Sequence, residues 1–403
     1  MTETSAAAAD WREAYASNLM KTFSQPPLLL TRGEGSWVWD SDGNRYLDFL
    51  AGIAVNSLGH AHPALVKAVS EQIATLAHVS NLFASAPQLA LAERLLRLAG
   101  AGPGGRVFFA NSGTEANEAA FKLARRNQSA TRTRILSLLG AFHGRTMGAL
   151  ALTGKAYLRE PFEPMVPGVE FIDSTLEALE ANIDDTVAAL FVEPIKGEAG
   201  VVALPEGFLE RARALTSAHG ALLIVDEVQT GAGRTGDWFA FQKTGIAPDA
   251  ITVAKGIGGG VPIGALITFG AASELLERGH HGTTFGGNPL ATAASNAVLA
   301  TIEADDLVGN ARRRGEQLRA AIATIGSPLV TGVRGAGLLL GVALTQPVAD
   351  AIVAAALEHG LIVNAPNEDT IRLAPPLIIG DDEVAEFTTR FAAALADVEA
   401  VAA

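Results

Sequence analysis

A chain of 403 residues that is 49% hydrophobic and carries 42 glycines is long enough to bury a large α/β core and to divide into two lobes. Its net charge of -13 argues against a nucleic-acid role, because phosphate backbones select basic surfaces. Zero cysteines leave no disulfide and no thiolate metal site, and with no membrane-length apolar run and no signal-type core near the N-terminus the expectation is a cytoplasmic protein without membrane contact or bound metal.

The alanine-rich residues 1 to 10 read as a frayed end. From Leu28 to Asn56 the pattern is one of short strands, with turns at Gly33-Glu34-Gly35 and Ser41-Asp42-Gly43-Asn44, a segment expected to join the smaller lobe. From His62 to residue 299, helices alternate with buried strands near Arg134 to Leu139, Ala188 to Val192, Ala221 to Val225 and Ile251 to Ala254. That alternation predicts a doubly wound, mostly parallel sheet. After Asn288-Pro289 an alanine-rich helix runs to about Glu303, and the remainder mixes strands such as Gly337 to Leu344 with helices such as Ala349 to His359. The expected division is 1–61, an N-terminal segment joining the small domain; 62–299, the large domain; and 300–403, the C-terminal small domain.

Two of the strands end in a charge. Ile251-Thr252-Val253-Ala254 runs into Lys255 and then Gly256-Ile257-Gly258-Gly259-Gly260, and Ala221 to Val225 runs into Asp226. A lysine at a buried strand end is desolvated, which eases deprotonation and lets the amine attack an aldehyde. The same pattern also fits a lysine snorkelling to the surface. Ligands of open α/β sheets sit outside the carboxyl ends of the strands, so Asp226 and Lys255 would face one crevice. An imine-forming lysine beside an aspartate that keeps a ring nitrogen protonated is the combination pyridoxal phosphate requires. Alone, a strand-terminal aspartate reads equally as a metal ligand or a helix cap.

A phosphate seat is the third requirement. Val107-Phe108-Phe109-Ala110 leads into Asn111-Ser112-Gly113-Thr114 and a helix predicted over Glu115 to Arg126. Ser112, Gly113 and Thr114 would offer hydroxyls and free amides where the helix dipole favours an anion, beside the plainer reading of a Ser/Thr cap. The glycines after Lys255 lack the Gly-Lys-Ser/Thr ending and the dinucleotide spacing, which argues against a nucleotide loop.

Six motifs in order then identify a resemblance over nearly the whole chain: Asn111 to Ala120, Phe142-His143-Gly144-Arg145-Thr146, Val192 to Gly200, Asp226 to Gly231 with Gly233-Arg234-Thr235-Gly236, Lys255, and Thr283 to Pro289. The chain resembles the class III (ornithine-type) pyridoxal-phosphate aminotransferases of fold type I. The resemblance implies a large doubly wound domain with a mostly parallel, seven-stranded-type sheet and a smaller α+β domain. It implies that Lys255 forms the imine with the cofactor and shuttles protons, that Asp226 holds the ring nitrogen, and that Ser112, Gly113 and Thr114 hold the phosphate. Phe142 matches the aromatic that stacks on the ring and Gln229 the amide that reaches its phenolic oxygen. Thr284 matches the hydroxyl that crosses to a partner's phosphate, which implies a homodimer with composite sites.

For substrates the resemblance implies Arg145 and Arg372 as carboxylate ligands, since guanidinium forks fix small carboxylates well. Thr283 stands with them as a substrate contact. Glu198 matches the glutamate that pairs with the second arginine when the amine donor has no carboxylate there, and swings away for glutamate. The implied reaction moves the terminal amino group of N2-acetyl-L-ornithine to 2-oxoglutarate. Ile53-Ala54-Val55 stands where ornithine-specific relatives place a tyrosine, which favours a donor with a blocked α-amino group. Succinylornithine and N-succinyl-diaminopimelate chemistry stay open, as do, less favoured, ornithine and 4-aminobutyrate. A non-catalytic cofactor-binding protein would lack Lys255, Asp226 or Arg145, and all three are present.

Overall fold

The computed structural model describes residues 11–402, so the expected frayed segment 1–10 lies outside the described residues. Seven strands form the central sheet, in the spatial order Arg106–Ala110, Gly264–Thr268, Ala250–Val253, Leu222–Asp226, Val187–Val192, Arg134–Leu138 and Val169–Ile172. Every neighbouring pair is parallel except those of Gly264–Thr268, which runs antiparallel to the strands on both sides.

The sequence dictates burial of both sheet faces. Leu222–Asp226 is buried at every position, and its side chains alternate between layers. Leu222 and Ile224 pack with Ala119, Ala120 and Leu123 of helix Gly113–Arg126. Leu223 and Val225 join the cluster containing Leu209 and Ala212 of helix Phe208–His219. A parallel sheet covered on both sides in this way shows continuous apolar strands rather than alternating ones.

Several boundaries differ from the sequence expectation. The helix predicted to begin at Glu115 begins at Gly113, because Ser112 adopts the extended cap conformation and Gly113 and Thr114 form the first turn. The antiparallel strand Gly264–Thr268 follows a reversal within the glycine-rich run after Lys255. A Cβ at Gly258 would stand 2.2 Å from the Val261 carbonyl oxygen, so these glycines permit a tight turn.

Towards the C-terminus, Val330–Ala336, Leu339–Leu344, Thr370–Leu373 and Asn364–Asn367 form an antiparallel sheet in that order. The strand expected from Gly337 begins at Leu339, and Val330–Ala336 is its hairpin partner. At the N-terminus, Leu30–Glu34, Trp37–Asp40 and Arg45–Asp48 form a meander. Its fourth strand is Leu361–Ile362, parallel to Arg45–Asp48 with Leu47 opposite Leu361. Phe49 stacks on Phe387 of helix Asp381–Ala402 at a centroid distance of 4.6 Å.

Between these parts lies a turn of the rarer hand. Ala51, Gly52, Ile53 and Ala54 all have positive φ, at 49°, 66°, 66° and 61°. Left-handed helical turns are costly for L-residues, most of all for a β-branched one. Asp48 Oδ1 fixes the entry by accepting the amides of Leu50 at 3.0 Å and Ala51 at 2.8 Å. Ser57 Oγ fixes the exit by donating to the Gly256 carbonyl at 3.0 Å, next to Lys255. No described helix is long and apolar enough to cross a membrane.

Candidate active site

Asp226 and Lys255 reach the same place because their strands are parallel neighbours, with Asp226 in register with Thr252. Both line a cavity of about 450 Å³, within the usual size range for small-ligand sites. Lys255 itself has a φ of 47°, so the backbone turns sharply at the end of the strand to present the amine. Burial is the main cause that brings its pKa down to about 8; Glu198 and Asp226 oppose the shift, and the Arg372 charge adds to it.

Asp226 is nearly inaccessible and tightly held. Its Oδ2 accepts from Asn117 Nδ2 at 2.8 Å and lies 2.7 Å from His143 Nδ1, and its Oδ1 accepts the Val228 amide at 2.9 Å. Asn117 is itself oriented, because Thr252 Oγ1 donates to Asn117 Oδ1 at 2.9 Å and Asn117 Nδ2 also reaches the His143 carbonyl at 2.8 Å. Burial disfavours a charged His143, yet the hydrogen bond and charge of Asp226 outweigh it and raise the imidazole above its ordinary pKa. The chain position after Asp226 does different work: buried Glu227 accepts the amides of Ala240 at 3.0 Å and Phe241 at 2.9 Å and braces that loop.

Opposite the carboxylate, helix Gly113–Arg126 points its N-terminus into the cavity. Ser112 Oγ accepts the Glu115 amide at 3.3 Å, while the first-turn amides of Gly113 and Thr114 have no intrahelical acceptor. A Cβ at Gly113 would stand 2.8 Å from Val228 Cγ1, so only glycine lets the helix start come this close to the Asp226 loop. Thr114 Oγ1 is 2.8 Å from Thr146 Oγ1. Phe142 lines the wall and its amide donates to Glu193 Oε2 at 2.9 Å; burial pushes this glutamate up to about 7. Arg145 stands exposed at the mouth, its guanidinium 5.7 Å from the Phe142 ring centre.

On the side of the C-terminal sheet, Gln229 links the cavity to an ion pair of a buried arginine and a partly exposed glutamate. Gln229 Nε2 donates to Glu198 Oε1 at 3.1 Å, and Arg372 Nη1 reaches Gln229 Oε1 at 3.3 Å. Arg372 is 1% exposed, pairs with Glu198, and donates from Nε to Asn364 Oδ1 at 3.1 Å. Burial alone would raise Glu198, but the charge and hydrogen bond of Arg372 prevail and hold it below the ordinary carboxylate range.

The structure therefore brings Ser112, Gly113, Thr114, Phe142, Arg145, Asp226, Gln229 and Lys255 to one cavity, with Glu198 and Arg372 adjoining it through Gln229. Thr283 and Thr284 stand apart from it on their own chain. Thr283 Oγ1 accepts from Asn111 Nδ2 at 3.3 Å and borders a smaller surface pocket, and Thr284 is exposed. Asn117, His143 and Glu193 had no assigned part in the sequence reading although each falls inside a motif. Asn117 follows Thr114 by about one helical turn, which was the available signal.

The donor set fits pyridoxal phosphate: unpaired helix amides for a phosphate, an aromatic wall for a ring, a fixed carboxylate for a ring nitrogen and a desolvated amine for an aldehyde. Fold and site together define a pyridoxal-phosphate-dependent transferase of fold type I. The family model described as Aminotransferase class-III matches residues 20–395, and the chain belongs to that family. An acetylornithine aminotransferase of Streptomyces coelicolor is 53% identical over 377 residues, covering 93% of this chain and 92% of the relative. A crystal structure of N-acetylornithine aminotransferase from Stenotrophomonas maltophilia is 37% identical with a TM-score of 0.83, covering 96% of this chain and 99% of that one. The ornithine aminotransferase of Toxoplasma gondii superposes with a TM-score of 0.92 at 32% identity, covering 97% and 96%.

Proposed function

We propose that this chain transfers the terminal amino group of N2-acetyl-L-ornithine to 2-oxoglutarate, giving N-acetyl-L-glutamate 5-semialdehyde and L-glutamate in arginine biosynthesis. The observation that carries the reading is the Glu198–Arg372 pair. With its guanidinium neutralised, the inner end of the site suits a donor that has no carboxylate beside the reacting amine. Relatives at about this level of similarity, 53% over 377 residues, are named for the same donor.

Pyridoxal phosphate, when bound, supplies a protonated ring that withdraws electrons from the carbon losing its proton. The residues of the chain do the rest. Ser112, Gly113 and Thr114 hold the phosphate at the helix N-terminus. Asp226, fixed by Asn117, His143 and the Val228 amide, keeps the ring nitrogen protonated, with Phe142 and Val228 as the walls. Gln229 would reach the phenolic oxygen of the ring from the cavity wall. Lys255 Nζ, its pKa brought down to about 8 by burial and so easier to deprotonate than an ordinary lysine, takes a proton from the substrate carbon and returns it elsewhere as general base and acid. Arg145 at the mouth takes the far carboxylate of either substrate. When glutamate or 2-oxoglutarate arrives, its α-carboxylate displaces Glu198 from Arg372.

Thr284, exposed here, completes the phosphate site of a second copy, which makes the working form a homodimer with residues 62–299 as the cofactor-holding unit. Thr283 beside it contacts substrate across the same boundary. Cytoplasm is the compartment this reading assigns. An amine-donor panel with 2-oxoglutarate tests it: acetylornithine should surpass succinylornithine, N-succinyl-diaminopimelate, ornithine and 4-aminobutyrate in kcat/KM. A preference for unblocked ornithine sinks the donor assignment, and normal turnover by Lys255→Ala sinks the proposed chemistry.

A further inference from the structure

The loop that carries Glu198 is seated on the C-terminal sheet by a cross-strand row. Arg334 is in register with Gly341, Gly341 with Arg372, and Arg372 with Asn364, so these four positions share one face of the sheet. The central member has no side chain. A Cβ at Gly341 would stand 2.9 Å from the Gly200 carbonyl oxygen and 2.9 Å from Val201 Cβ, so the loop lies directly on the bare backbone between the two arginines.

The two arginines grip different parts of that loop. Arg334 Nε donates to the Gly200 carbonyl at 2.6 Å, and its Nη2 donates to Thr370 Oγ1, also at 2.6 Å. Thr370 is on the strand that carries Arg372, two residues away. Arg372 takes the Glu198 carboxylate itself. The neighbouring carbonyls are held as well, Glu198 by Lys155 Nζ at 2.7 Å and Ala199 by Asn367 Nδ2 at 3.4 Å. The backbone around Glu198 is thus fixed at three consecutive carbonyls, whereas its carboxylate is held only by Arg372 and Gln229 among the described residues.

We propose that Arg334 and Gly341 form a seat that sets the reach of Glu198 to Arg372, and thereby the preference between an amine donor lacking the second carboxylate and glutamate, which has it. This deepens the functional reading above and rests on it for the identity of the donor. Arg334 is a positioning residue, since it touches the loop and the strand rather than the substrate. With the backbone seated, Glu198 opens by side-chain rotation alone and returns to the same place. Lifting the loop weakens the pair and leaves Arg372 as a buried cation without its partner, a state that a second carboxylate relieves and a neutral methylene does not.

Arg334→Gln removes the grip on Gly200, and Gly341→Ala raises the loop sterically. Both variants should lower kcat/KM for acetylornithine while holding or raising that for glutamate, so that the ratio of the two half-reactions shifts about tenfold, the scale of one charge-assisted hydrogen bond. Arg334→Lys, which retains a cationic donor, should fall between wild type and Arg334→Gln. Equilibrium binding of glutarate, an unreactive dicarboxylate, should tighten in both loosened variants. Parallel loss in both half-reactions, or unchanged glutarate affinity, overturns the seat. The glutarate measurement needs no amine donor, so it decides this inference even where a wild-type enzyme that rejects acetylornithine has overturned the functional reading.

Discussion

His143 and Asp226 form a buried pair, Nδ1 to Oδ2 2.7 Å, in which the imidazole holds the carboxylate in place. Asn117 donates to the same oxygen, so loss of either neighbour leaves Asp226 less ordered and worse solvated. His143→Phe and Asn117→Ala should each weaken pyridoxal phosphate binding roughly tenfold, the usual cost of a lost hydrogen bond to a charged group. Titration of the cofactor-free protein checks it, and an unchanged affinity would count against Asp226 as the ring-nitrogen partner.

Lys255 makes the cofactor-free protein sensitive to alkali in a definite sense. Its pKa falls from the ordinary 10.5 to about 8 on folding, mainly through burial. Between those values the unfolded chain holds more protons, so stability rises with pH across that window and the penalty is fully present below it. Lys255→Met should therefore melt several degrees higher than wild type at neutral pH without cofactor, with the gap closing as pH rises past 8 towards 10.5. Covalent capture of the cofactor by wild type, followed by absorbance, should accelerate with a midpoint near 8.

Lys255, Asp226 and Ser112 to Thr114 were legible as a set, because each ends or begins a strongly patterned element and the motifs that hold them follow one another in order; taken singly, each had a plainer reading. The parallel sheet was legible for the same reason. What escaped the sequence is what depends on distant partners. Nothing local to Asn117 or His143 announces that both converge on Asp226, and Arg334 gains its meaning only from the register that sets Gly341 beside it. The left-handed turn at Ala51–Ala54 escaped because only Gly52 hints at positive φ, while Ile53 argues against it. Its conformation is imposed by Asp48 and by the contact of Ser57 with Gly256.

That turn gives a stability prediction. Ile53 holds φ 66° while 36% exposed, so the side chain contributes little to the core and the backbone bears a left-handed penalty. Asparagine tolerates this region far better, and Ile53→Asn should stabilise the fold by roughly 1 kcal/mol. Calorimetry would register this as a higher melting temperature; a lower one would mean that Ile53 makes contacts worth more than its strain.

Arg234 gives the opposite case. It is 2% exposed, and burial pulls its pKa down to about 9. Its Nη1 donates to the Leu338 carbonyl at 3.2 Å and to that of Pro375, joining the loop after Asp226 to the sheet that carries Arg372. Arg234→Met removes a costly buried charge but leaves two carbonyls unmet. Chemical denaturation should show a net loss of about 2 kcal/mol, since the orphaned acceptors cost more than the charge relieves. A more stable Arg234→Met protein would reverse that ranking.

The pairing of Leu47 with Leu361 has a consequence for how the molecule is made. The strands of the central sheet, from Arg106 to Thr268, are all synthesised before Leu361 leaves the ribosome. Through that interval the meander ending at Asp48 has an open edge and Phe49 lacks its stacking partner Phe387. The strands around the cavity that holds Asp226 and Lys255 can pair early, whereas the strand that carries Arg372, and the sheet that closes the N-terminus, wait for the last stretch of translation. A nascent chain therefore holds the strands that carry Asp226 and Lys255 before the one that carries Arg372, and keeps an open strand edge until Leu361 arrives.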